Sequence, residues 1–267
     1  MTLFSTTVRE FWLWILVVTV GSLVFFQSPG GYSSTSRAIL HGLCAQTPSH
    51  TFTFNGERLP FDARMTGIYG GLLITTIVLA ARRRLFCSGD VPRPVIVGLA
   101  FLVGLMAVDG FNSLLSDLGI RHLYRPNNIA RLITGYGAGI ALAVALCWLV
   151  SASAWRMSRP VPGVKTIHDL GLPVAGIAMY GALILLGPGW LHGPLTVLLV
   201  VSAWLTMTLL MLVVVMLVFR IDDRIRSIRE LHVPVAIAAI LGICTMLLLA
   251  GGRYWLEQTL GISNAMM

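Results

Sequence analysis

Charge is what this chain has least of. Only 11% of its 267 residues are charged and 56% are hydrophobic, against about 25% charged in an ordinary soluble domain. The apolar residues also come in long unbroken runs, so a water-soluble globular protein is excluded and a polytopic membrane protein is indicated. Lysine is nearly missing: 18 of the 19 basic residues are arginine, Lys165 being the exception. Those arginines flank apolar runs, so the net charge of +8 reads as headgroup anchoring and topology; nucleic acid is not an expected partner. The 4 cysteines are too scattered for a disulfide framework. Cys147 and Cys244 fall inside apolar runs as small packing residues.

Motifs of known chemistry are missing as well. There is no G-x-x-x-x-G-K-[ST] loop, no G-x-S-x-G, no H-E-x-x-H and no C-x-x-C. His168, His192 and His232 all fall at span edges, which argues against an intramembrane bis-histidine haem. Within the spans Asp109 stands nearly alone, so the acidic ladder of a proton pump is absent.

What is present is a set of seven apolar runs, at 8–27, 65–82, 93–111, 129–151, 169–190, 195–219 and 233–252, each near the ~20 residues that cross a bilayer as helix. The expected architecture is all-α, an integral helix bundle of about seven transmembrane helices forming a single membrane domain over 1–267. The first run follows Arg9, but no A-x-A cleavage pattern comes after it, so it reads as a true helix and not a signal peptide. With the N-terminus in the cytoplasm, twelve basic residues lie inside and seven outside. The positive-inside bias therefore puts the N-terminus in and the C-terminus out, across the cell's inner (cytoplasmic) membrane. The polar segments 27–64 and 112–128 then face the extracytoplasmic side. The basic segment 220–230, with Ile221, Ile225 and Ile228 on one face, reads as a stub of the sixth helix.

Three groups of residues stand out. His41, Cys44, His50 and Asp62 share one polar loop and are all metal-ligand types, although their spacing matches no strong zinc pattern. Asp109 sits at the outer end of the third run, with Arg64 and Arg131 opening neighbouring runs on the same side. A carboxylate at that depth needs a partner, so the three are expected to form a structural clamp; the sharper alternative is a polar pocket for a headgroup, quinone head or peptide. Gly67 and Gly71, and Gly135 and Gly139, line up small residues on two helices for close packing, with Thr66 and Thr134 placed to hydrogen-bond across the gap.

The stretch "LPFDARMTGIYGG", at 59–71, carries a resemblance. With "CAQTPSHTF" before it, the region resembles a family of small bacterial and archaeal membrane proteins known only as a domain of unknown function. The pattern of that family reads C-H-Q-x-P-x-R-S-F, a short spacer containing glycine, then L-P-x-C-x-R-C-T-G-I-Y-x-G. This chain agrees at Cys44, Gln46, Pro48, Phe52, Gly56, Leu59, Pro60, Arg64 and from Thr66 to Gly70. Agreement resumes at Asp109, Gly110, Asn128, Arg131, Thr134 and Gly135, so the family-like core spans 40–140, with additional C-terminal spans over 141–267. The resemblance implies a closed metal or redox site of three cysteines and a histidine. Here Ala45 stands for the histidine, and Asp62 and Met65 for two of the cysteines; only Cys44 remains.

Architecture kept and ligands lost point to a protein without enzyme activity. The expected role is an accessory or scaffolding subunit of a larger membrane complex, respiratory, photosynthetic or transport, with the lipid bilayer and other membrane-protein subunits as partners. The alternative is a metal- or small-molecule-handling protein using the outer loop. No cofactor is predicted from the residues.

Overall fold

The computed structural model describes residues 30–154, 161–219 and 231–261, with scattered positions between 12 and 27. Among these residues 6 helices are long and apolar enough to cross a membrane. The first expected span, 8–27, lies largely outside the described residues, although those of its positions that are described are helical. Segment 220–230 lies outside them altogether.

A short helix α1 (Gly31–Leu40) and a two-stranded hairpin, β1 (Thr53–Phe54) with β2 (Glu57–Arg58), come first. The bundle helices follow as α2 (Ala63–Ala81), α3 (Arg93–Asp117), α4 (Asn128–Ala154), α5 (Gly171–Leu186), α6 (His192–Phe219) and α7 (His232–Thr259). The protein is thus an all-α membrane bundle. α4 holds its centre, in contact with α2, α3, α5 and α6, while α6 pairs with α7. The cytoplasmic or external placement of either end stays with the charge bias above.

The contact between α2 and α4 is the tightest in the molecule, and glycine is its cause. A Cβ at Gly67 would overlap the Leu132 carbonyl oxygen, and one at Gly71 the Tyr136 carbonyl oxygen. From the other side, a Cβ at Gly135 would strike the Arg64 oxygen and one at Gly139 the Ile68 oxygen. Partner numbers rise together along both helices, so the two run parallel, backbone on backbone, for about two turns. Lipid gives no hydrophobic drive for helix association, so this dispersion contact must be dense to hold.

Several polar side chains inside the bundle are spent on backbone carbonyls. Tyr136 donates to the Pro173 oxygen at 2.9 Å, Tyr180 to the Thr66 oxygen at 3.0 Å, Ser202 to the Tyr69 oxygen at 2.9 Å and Trp204 Nε1 to the Ala239 oxygen at 3.1 Å. Each stitches one helix to another and spares a hydroxyl or indole N–H from burial without a partner. The expected cross-gap bonds from the two threonines are not the ones formed. Thr66 turns back to the Phe61 oxygen at 3.3 Å, and Thr134 to the Ala130 oxygen at 2.9 Å.

Residues 30–62 fold as a cap over one end of the bundle. His192 at the start of α6 donates from Nε2 to the Arg58 oxygen at 3.2 Å, and Tyr32 donates to its Nδ1 at the same distance. Near the end of α7, Arg253 Nη1 donates to the oxygens of His41 at 2.8 Å and Cys44 at 2.6 Å. The hairpin turns on Asn55 (φ 53°) and Gly56 (φ 87°), the two left-handed residues of a tight two-residue loop. At the opposite end, Asp169 receives Arg82 at 3.2 Å and Arg84 at 2.9 Å.

The packing generates a paired prediction. Gly135→Ala costs about 1–3 kcal/mol because the neighbouring backbone cannot give way. Gly104→Ala, where a Cβ meets nothing within 4 Å, stabilises by up to about 1 kcal/mol. Denaturant unfolding of both variants in detergent micelles checks the contrast.

Candidate functional site

The polar residues of interest gather at the capped end, where α2 and α4 begin and α3 finishes. Asp109 is 1% exposed. Its Oδ2 accepts Arg64 Nη2 at 2.7 Å and its Oδ1 accepts the Tyr124 hydroxyl at 2.6 Å. Thr134 Oγ1 adds a longer contact at 3.4 Å, and Arg64 Nη2 also reaches Ser113 Oγ at 3.3 Å. A buried carboxylate with this many donors is fixed in place. The clamp therefore joins α2, α3 and α4 through Arg64, Asp109, Tyr124, Ser113 and Thr134.

Arg131 does not join it. Sequence position puts Arg131 and Arg64 on equal footing as partners of Asp109, yet Arg64 alone is seated on it. Arg131 Nη1 bonds instead to Asn128 Oδ1 at 3.0 Å, and among the described residues Arg131 forms no ion pair. The two oxygens of the carboxylate serve Arg64, Tyr124 and Thr134.

The loop ligand types are dispersed to different tasks. His41 Nε2 donates to Glu257 Oε2 at 2.8 Å, and its ring stacks on Tyr254 with centroids 4.2 Å apart. Asp62 caps α2, accepting the Met65 N–H on Oδ1 at 2.9 Å. Cys44 is buried, and its Sγ accepts the backbone N–H of Gln46 and of Asp62, each at 3.4 Å. Burial, with the Asp62 charge beside it, pushes the Cys44 thiol up to about 12, so at neutral pH it is a protonated, unreactive group. Burial and then Arg131 hold His50 below the usual imidazole value, which keeps it neutral. Among the described residues no three His, Cys, Asp or Glu side chains converge as a metal would need. Positions 44 and 62 are nonetheless neighbours in space, with Met65 bonded to the same cap, so the cysteine positions of the resembling pattern do meet here.

Several members of this layer are not in the expected set. Asn112 Oδ1 accepts the Leu123 N–H at 2.7 Å and its Nδ2 donates to the Tyr124 oxygen at 2.9 Å, folding the α3–α4 loop back onto the helix. Burial of the hydroxyl and its bond to Asp109 push Tyr124 up to about 12. Asp109, Asn112 and Ser113 stand at i, i+3 and i+4, a polar stripe visible in the sequence. Tyr124 has no such signal, because only the loop's return brings it back. Gln46, held at φ 55°, ties the cap together by donating to the oxygens of Arg37 at 2.9 Å and Pro60 at 3.0 Å.

Comparison with known proteins places this layer inside a recognised sequence unit. Residues 44–145 match the family described as "Predicted membrane protein (DUF2085)". An uncharacterized protein of Methanothermobacter thermautotrophicus is 35% identical over 102 residues, covering 38% of this chain and 82% of the relative. The chain belongs to this family. No solved structure matches it. The matched unit runs from Cys44 through the first two-thirds of α4, and so contains both helices of the glycine contact and the whole clamp.

Removing one side of a buried pair leaves the other charge stranded. Asp109→Ala is expected to cost about 3 kcal/mol, by orphaning Arg64 and Tyr124. Joining it with Arg64→Met should recover most of the loss, because no charge is then stranded. Unfolding of the two variants in micelles checks this; an equal loss in the double variant would contradict the pairing.

Proposed function

We propose that this member of the family is a non-catalytic accessory or scaffolding subunit of a larger assembly in the cytoplasmic membrane, with its cap on the extracytoplasmic side. The observation that carries the reading is the fate of the polar groups at the cap. His41, Cys44 and Asp62 are consumed by Glu257, by two backbone amides and by a helix start, respectively. Side chains committed in this way serve the architecture of the cap and are not poised for turnover.

The outer surface of the bundle agrees with that role. α3 packs mainly on α4, and only 11% of its most apolar window is buried. Its exposed row includes Val97, Phe101, Val108 and Phe111, a face suited to lipid or to the helices of a neighbouring subunit.

A native mass spectrum of the protein drawn gently from its own membranes tests the proposal. Additional protein mass in fixed stoichiometry is the expected result and would identify the assembly. A lone chain carrying a metal or small molecule would overturn it.

A further inference from the structure

Arg131 is the one arginine among the described residues that is buried, at 6% exposure. A guanidinium carries five N–H donors and a charge that does not titrate away. Its hydrogen bond, among the described residues, goes to the neutral amide of Asn128 one turn back on the same helix. Arg64, whose carbonyl oxygen rests against Gly135 one turn beyond Arg131, has a buried Nε with no acceptor among the described residues. A buried guanidinium with no carboxylate beside it, and a buried N–H with no acceptor as at Arg64 Nε, are both costly.

The local charge balance points the same way. The inner layer holds two guanidinium groups against one buried carboxylate, Asp109, which Arg64 already occupies. Asp62 is half-buried and turned to its own helix start, and Asp117 is exposed. His50, on which Arg131, Asp117, Asp62 and Arg64 all act, is kept neutral. The parallel α2 and α4 bring two positive helix N-termini to this end, against the one negative C-terminus of α3. Among the described residues one buried positive charge, that of Arg131, is left without a counter-ion.

We propose that Arg131, with the Nε of Arg64, receives a phosphate-type oxyanion at the capped end of the bundle, where α2 and α4 begin. The guanidinium fork matches phosphate geometry, and first turns of spans lie at the depth of lipid phosphates. Access is available beside the Arg64 side chain, which is 25% exposed, and the exposed Asn127. The oxyanion is either free phosphate or a phospholipid headgroup. The site is independent of the scaffolding role, since a subunit and a solitary protein would hold the anion equally.

The test uses the full chain, delipidated in non-ionic detergent, with thermal unfolding followed by tryptophan fluorescence. One arm titrates inorganic phosphate against chloride at constant ionic strength. The other adds mixed micelles of phosphatidylglycerol or of phosphatidylcholine. A saturable rise in Tm with phosphate identifies free phosphate as sufficient; a rise with phosphatidylglycerol alone identifies the lipid. In either case Arg131→Gln abolishes the rise while its unliganded Tm equals or exceeds that of the parent, because a stranded charge has gone. Arg131→Lys, which keeps the charge and loses the fork, raises the half-saturating concentration about tenfold. No rise in either arm, or a full rise retained by Arg131→Gln, would overturn the proposal. So would a fall in unliganded Tm for Arg131→Gln with unchanged half-saturation for Arg131→Lys, the signature of a purely structural arginine.

Discussion

The contact of α2 with α4 is the constraint on which the rest of the molecule depends. Four glycines let two parallel helices approach until carbonyl oxygens occupy the space of missing side chains. In lipid such an approach is the main source of helix affinity, because lipid tails are as apolar as the helices themselves. Parallel alignment then has an electrical consequence. It sets Arg64 and Arg131, each in a first turn, side by side at one end of the bundle together with two positive helix ends.

The surroundings of that pair answer the consequence only in part. α3 runs antiparallel to both helices and delivers Asp109 to Arg64 at 2.7 Å, with Tyr124 closing over the carboxylate from the following loop. The cap laid over the same end is bound by backbone-directed bonds from Arg253, Gln46 and His192, so it forms part of the fold and not a loose loop. His41, Cys44 and Asp62 are absorbed by this construction. Arg131 is not, and it is the residue at which chemistry beyond packing enters the description.

Much of this was legible in the sequence, and for stated reasons. Long apolar runs place the spans, and small residues four apart mark the close contact; both are local signals. The runs understate helix length where polar residues stay helical: α3 continues to Asp117 and α7 to Thr259, because Asn112, Arg253 and Glu257 find partners and need not leave the membrane edge. The dipeptide Asn55-Gly56 is a hairpin signal left unused within a segment expected to be loop. The choice between Arg64 and Arg131 as partner of Asp109 could not be read at all. It depends on how far one helix is rotated against another, and neither spacing nor composition encodes that.

The most direct test of the central dependence is hydrogen–deuterium exchange in micelles on the parent protein and on Gly135→Val. If the glycine contact organises the capped end, exchange accelerates together in the first turns of α2 and α4, in the 118–127 loop and in the cap around 44–62. Acceleration confined to the turns of α4 around residue 135, with the cap and the loop unchanged, would contradict the account.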